Sequence, residues 1–406
     1  MAKQDFQKVD SEVMNMINRR RILQLIRQSR SISRAEIVKI TGLAAPTVSR
    51  IVDRLVKEDN LVKYSGIGSS SGGRPPVIVE FNGTDKYVLG VDMRATLIRG
   101  VLANLDAEIL MEIQVPTGKE EGYETVIHNL VSGVERLLTR RGADPSSVIG
   151  LGVGVAGLLD KSKTIVRFSP DFGWTDVNLY ADLCKEIKIP ISLENSTRLM
   201  ALAELGYGMG KELENFIVVN VGYGIAAGIV VDGKVVDGGE GFSGEFGHMT
   251  VNPYSEVVCD CGRTGCVEAL ASGRRIGQVA RESLPADSLL NELCGNDPSR
   301  IDAKMVFDAF AAGDKFSKEV CKQALESLSV ALANLIHLLN PTHVLLGGGV
   351  SLNGKVFWDT LTKLTYHRVL IPNRSVKIEP ASFKEYSTVI GSLALVLDSV
   401  LGLELR

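Results

Sequence analysis

The chain has 406 residues, 45% hydrophobic and 23% charged, a soluble globular composition with more length than one core needs, so two or three domains are expected. No apolar run is long enough to span a bilayer and Met1–Phe6 holds no apolar export-signal core, so membrane insertion is not expected and a cytoplasmic location is. The net charge of -3 is divided unevenly: residues 1–80 carry 14 Lys and Arg against 8 Asp and Glu, and the rest carry 31 against 40. A basic head on an acidic body points to contact with a polyanion, although a solvated basic helix would have the same charge.

Ser11 to Gln28 reads as a helix, with Val13, Ile17, Leu23, Leu25 and Ile26 among its apolar positions. Ser33-Arg34-Ala35-Glu36 is a capping box that opens a short second helix, and Thr41-Gly42 ends it. Ala44-Ala45-Pro46 starts a third, in which Val48, Ile51, Val52 and Leu55 form one buried stripe. Its other face offers Thr47, Ser49, Arg50, Asp53 and Arg54. Two short helices around a glycine turn make a helix-turn-helix, and its early recognition-helix residues Thr47, Ser49 and Arg50, with Arg54 behind them, are expected on double-stranded DNA. Strands at Leu61–Tyr64 and Val77–Glu80 flank a Gly/Ser-rich stretch containing Gly72-Gly73-Arg74-Pro75. It reads as a wing whose Arg74 suits a narrow minor groove, with a plain linker as the alternative.

The body alternates strands and helices. Strands are expected at Tyr87–Asp92, Leu97–Leu102, Ala107–Val115, Val148–Gly157, Phe216–Val221 and His343–Val350, with helices over 124–141, 197–208 and 316–340. Glycines punctuate several strand ends. This is α/β, with ligands at the carboxyl ends of strands. Between Gly244 and Ser272 lie His248, Cys259, Cys261 and Cys266, a closed donor set for tetrahedral Zn2+ in a structural role. A metal-free thiol cluster or a redox pair is the alternative. The remaining cysteines, Cys184, Cys294 and Cys321, are scattered, as suits a reducing compartment.

The order of these motifs resembles the ROK family, the branch of the actin-like sugar-kinase fold that includes repressors and kinases. Gly244-Glu245-Phe246-Gly247-His248 and Cys259-Asp260-Cys261-Gly262-Arg263-Thr264-Gly265-Cys266-Val267-Glu268 are similar to its sugar-site and zinc motifs. Ser169–Trp174 is similar to its cleft loop, and Glu194-Asn195-Ser196 to its Glu-Asn-Asp segment. The resemblance implies an N-terminal winged helix-turn-helix at 1–82, a first α/β lobe at 83–195 and a second lobe with the zinc motif at 196–406, the C-terminal helix returning to the first. It implies sugar contacts from Asn195, Glu245, His248 and Glu268, and a weaker one from Asp171. Glu245 and Glu268 have the alternative role of supporting the zinc ligands.

Three departures bear on catalysis. Ser196 stands where the family's kinases place the carboxylate base, and a serine hydroxyl is no base near neutral pH. Asp92-Met93-Arg94-Ala95-Thr96 replaces a glycine-rich phosphate loop, and Tyr223 replaces a small hydroxyl residue in the next. The resemblance therefore implies a repressor of carbohydrate-utilisation genes, a homodimer or dimer of dimers on operator DNA, released by a small-molecule sugar effector such as xylose or glucose. An ATP-dependent sugar kinase with an added DNA-binding head is the competing reading.

Overall fold

The structure, a computed structural model, describes residues 11–67 and 76–401. The head comprises α1 (Ser11–Ser29), β1 (Ser31–Ser33), α2 (Arg34–Thr41), α3 (Ala45–Lys57), β2 (Val62–Ile67) and β3 (Val77–Phe81). The capping box forms: the Ser33 hydroxyl accepts from the Glu36 amide at 3.2 Å, and the Glu36 carboxylate accepts from the Ser33 amide at 2.9 Å. Gly42, at φ 69°, ends α2 in the left-handed region that a side chain would strain. Val48, Ile51, Val52 and Leu55 are all buried, which holds α3 against α1 and α2. β1 was not legible beforehand: three residues are too few for alternation to register, yet they pair with β3 to complete a three-stranded sheet.

Two five-stranded sheets form the body. The first orders β11 (Ile191–Asn195), β7 (Val148–Val155), β4 (Tyr87–Met93), β5 (Leu97–Asn104) and β6 (Ile109–Pro116). The second orders β14 (Lys234–Val235), β13 (Ile225–Val231), β12 (Phe216–Val221), β15 (His343–Gly347) and β16 (Lys377–Pro380). In each, three antiparallel strands lead into two parallel ones, so the body is one topology used twice. A small sheet of β8 (Leu158–Leu159), β9 (Val166–Ser169) and β10 (Trp174–Val177) rims the first lobe. This is the actin-like kinase fold.

Helices cover both faces of each sheet, as strands buried on both sides require. α4 (Tyr123–Arg141) and α5 (Leu179–Glu186) cover one face of the first sheet. α7 (Val267–Ala271), α8 (Gly273–Glu282), α9 (Leu290–Leu293), α10 (Ala303–Ala311), α11 (Lys315–Leu339) and α12 (Gly354–Arg368) build the large core on the second. α6 (Ser196–Tyr207) backs the second sheet through Met200, Ala201 and Leu205. α13 (Ser387–Leu401) backs the first through Val389, Leu393 and Val396. The two cross where the lobes meet, with Gly391 of α13 against the Leu199 carbonyl of α6; a methyl group at Gly391 would stand 1.9 Å from that oxygen. The head shares its core with the body, since Leu105, Leu397 and Leu401 are buried in one cluster with Ile22, Leu23 and Ile26. No helix among the described residues is long and apolar enough to cross a membrane.

Candidate functional site

A cavity of about 520 Å³ opens between the lobes at the carboxyl ends of β7, β11 and β12. Asp171, Asn195, Glu245, His248 and Glu268 all line it, together with Ser196. Chain folding thus brings together residues separated by up to 97 positions in sequence.

Each side chain has a definite anchor. Asn195 caps α6: its carbonyl oxygen accepts from the Thr197 and Arg198 amides at 2.9 and 3.2 Å, and its amide donates to the Gly157 carbonyl at 2.9 Å. One amide hydrogen remains for a ligand, so its role is narrower than the motif implied. Glu268, in the first turn of α7, accepts from the Ile225 amide at 2.7 Å, which leaves its second oxygen for the cavity. Burial pushes the Asp171 carboxyl above its ordinary range, and the Glu268 charge adds to the effect. Burial likewise raises Glu245, against the opposing influence of His248.

Glu194, beside the cavity, is held by charged and backbone partners. Lys163 and Arg198 flank it at 2.5 and 2.8 Å, and the Asn195 amide donates to it at 2.7 Å. The Lys163 partner comes from the turn between β8 and β9, and no sequence pattern announced it. The Ser196 hydroxyl is buried with no hydrogen-bond partner.

Beside the cavity wall, the donor atoms of His248, Cys259, Cys261 and Cys266 lie within 4.8 Å of one another. His248 Nδ1 is 3.6 Å from Cys259 Sγ, and the sulfurs of Cys261 and Cys266 are 3.7 Å apart. A tetrahedron with bonds of about 2.3 Å has edges of about 3.8 Å, so the donor set fits a zinc ion. His248 Nε2 faces the other way, 3.7 Å from Glu245. One ring therefore joins the cluster to the cavity. Glu268 reaches backbone rather than a cluster residue, which counts against a purely supporting role for it.

A second cavity, about 290 Å³, adjoins the first and shares Asp171, Ser196 and Asn220 with it. Asp92, Arg94, Tyr223, Gly348 and Gly349 line it. Here the altered first loop has closed on itself. Arg94 Nε donates to Asp92 at 2.5 Å and its Nη2 donates to the Glu385 carbonyl at 2.7 Å. Asp92 is 2% exposed; burial pushes its carboxyl up, and Arg94 offsets part of that. Tyr223 lies 5.4 Å from the Arg274 guanidinium, which pairs with Asp260.

A ROK family profile matches residues 88–399, and a winged helix-turn-helix DNA-binding profile matches residues 17–59. The chain belongs to the ROK family. It is 28% identical to the xylose repressor of Caldicellulosiruptor bescii over 96% of this chain and 97% of that one. It is 32% identical to the glucokinase of Halalkalibacterium halodurans over 69% of this chain and 84% of that one. Its fold matches a ROK family transcriptional regulator homologous to the Escherichia coli MLC protein, with TM-score 0.80 and 24% identity over 97% and 99% of the two chains.

On the head of this ROK protein, Arg50 is exposed and donates to Asn15 at 2.9 Å, while Thr47 and Ser49 before it are half-buried. Arg54 is exposed and pairs with Glu58 at 3.0 Å. Asp53 accepts from Arg34 and the Tyr64 hydroxyl, so it ties α3 to α2 and β2. Arg74 lies outside the described residues.

Proposed function

We propose that this ROK protein is a sugar-responsive repressor of carbohydrate-utilisation genes in the cytoplasm. It binds operator DNA as a homodimer or dimer of dimers and is released by an uncharged monosaccharide such as xylose or glucose. The carrying observation is the contrast between the two cavities. The first keeps carboxylates and an amide with free hydrogen-bonding positions, the chemistry that pairs with vicinal hydroxyls. In the second, Arg94 occupies the acid that a metal-bound nucleotide would need. Repressor relatives that match along nearly the whole chain support the same reading.

Charge favours an uncharged effector. Asp171, Glu245, Asp260 and Glu268 line the first cavity, against the exposed guanidinium of Arg263. Arg94 and Arg198 are committed to acids and backbone carbonyls, and Arg167 pairs with Asp176 at 2.8 Å. A phosphate would enter a cavity where four carboxylates face the single guanidinium of Arg263. A thermal-shift panel of free sugars and their phosphates tests this. A free pentose or hexose at about 100-fold its dissociation constant is expected to add ~2.7 kcal/mol. Stabilisation by sugar phosphates alone would overturn the uncharged reading.

The Cys and His donors would hold a structural zinc, fixing His248 and Glu245 at one wall. Thr47, Ser49, Arg50, Arg54 and Arg74 would face DNA. Arg50→Ala is expected to weaken operator binding by ~1–3 kcal/mol and to relax preference at one base position, measured by fluorescence anisotropy across a set of single-base operator variants. Uniform weakening across the set would reassign Arg50 to the phosphate backbone.

A further inference from the structure

α6 joins the two functions. Its first turn belongs to the cavity: Asn195 caps it, and Ser196 and Thr197 line the wall. Its last residue belongs to the head contact. Tyr207 packs against the cluster that holds Ile22, Leu23 and Ile26 of α1, and its hydroxyl accepts from Arg27 Nη2 at 3.4 Å. Arg27 donates to the Leu105 carbonyl at the same distance and stands 5.7 Å from the Phe81 ring centroid, so one α1 side chain touches both the head sheet and the body. Twelve helical residues span about 18 Å, so α6 reaches from the cavity wall to the Arg27 contact.

The helix between these ends is held stiffly. The Thr197 carbonyl abuts Gly228, where a methyl group would stand 2.6 Å away, and the Leu199 carbonyl abuts Gly391 of α13. The fully buried Glu204 accepts from the Ser382 amide and hydroxyl, each at 2.6 Å, which ties the second half of α6 to the segment leading into α13. Leu397 and Leu401 at the far end of α13 are buried in the head cluster beside Tyr207. Close-packed helices of this kind shift as a body rather than deform.

We propose that Tyr207 and Arg27 are positioning residues for the head: α6, braced by α13, carries a displacement at its capped N-terminus to the Tyr207–Arg27 contact and so changes the angle at which α1 presents the recognition helix. The proposal rests on the repressor reading above. It also locates where the two states must differ in free energy, since a ligand that does not distinguish them shifts nothing.

The test uses full-length wild type and Tyr207→Phe, which keeps the packed ring and removes the hydroxyl. Operator affinity is measured by fluorescence anisotropy with and without saturating D-xylose and, separately, D-glucose; sugar affinity is measured on DNA-free protein. For the sugar that acts on wild type, a coupling ratio of about 5–150-fold is expected. In Tyr207→Phe that ratio should fall at least about threefold, while sugar-free operator affinity and DNA-free sugar affinity stay within about twofold. Arg27→Met should lose the same coupling, and the double variant should lose no more than either single one. An unchanged ratio in Tyr207→Phe overturns the proposal alone. Loss of sugar affinity itself would overturn it too, by making Tyr207 a support of the cavity. A wild type that neither sugar moves off DNA counts against the repressor reading and the proposal together.

Discussion

Cys266→Ser is expected to empty the metal site and abolish sugar-induced release from DNA, while operator binding survives. Cys266 is buried, caps α7 from the preceding position, and lies two residues before Glu268. Its backbone bridges Thr250, so the loop that carries His248 and the helix that carries Glu268 meet at this cysteine. A serine oxygen is a poor zinc ligand, and a three-donor site has lost closure. Apparent zinc affinities in small structural sites correspond to ~10–16 kcal/mol, so even partial loss of that term would loosen the loop. The affected wall is the one with His248 and Glu245. The head should be spared because its core cluster contains no residue of the zinc loop. Elemental analysis should find about one zinc per wild-type chain and little in the variant, and thermal unfolding should fall by several degrees, ~2–4 °C per kcal/mol for a chain of this size class or somewhat less. Cys184→Ser, half-buried in α5, is the control and should change neither metal content nor release. A metal-free wild type that still responds to sugar would sink the structural-zinc proposal.

Much of this arrangement was legible in the chain, and the reasons are local. The capping box at Ser33 and Glu36, the stripe from Val48 to Leu55 and the Gly42 turn depend on neighbours within one or two helical turns, so spacing alone gives them. The metal donors fall within nineteen residues, for the same reason. What escaped depends on long-range pairing. Lys163 meets Glu194 across 31 residues, Arg94 meets the Glu385 carbonyl across 291, and Arg27 meets Tyr207 across 180. The altered phosphate loop was visible as a departure, but its consequence was not: Arg94 does more than intrude, because it neutralises Asp92 and fastens the loop to the segment before α13. Asn195 shows how folding divides the work of one motif residue. Its motif position pointed to a ligand contact, and its carbonyl oxygen caps α6 while one amide hydrogen goes to the Gly157 carbonyl, which leaves the other for a ligand.

The same Arg94 contact decides what reintroducing a base should achieve. Wild type is expected to phosphorylate neither glucose nor xylose at a measurable rate, and Ser196→Asp alone should leave it below ~1 s⁻¹, an ordinary enzyme rate. The site would accept the carboxylate. Residue 196 is the first of α6, where the helix dipole favours negative charge, and the Ser196 hydroxyl is buried without a partner. Asp171 and Glu268 nearby would hold the new carboxyl above its ordinary range, which suits a base working near neutrality. A positioned base is worth about 10²–10⁴ in rate, but only where the nucleotide is held in line. Asp92 remains paired with Arg94, so that acid is not free to organise a metal-bound nucleotide. Adding Arg94→Gly removes the guanidinium, and the double variant should exceed Ser196→Asp by at least about tenfold if the missing base and the blocked acid are separate defects. A coupled ADP-release assay over glucose and xylose reads all three proteins. Turnover near 1 s⁻¹ in wild type would restore the kinase reading, and a Ser196→Asp variant as active as the double one would show that the Asp92–Arg94 pair is no obstacle.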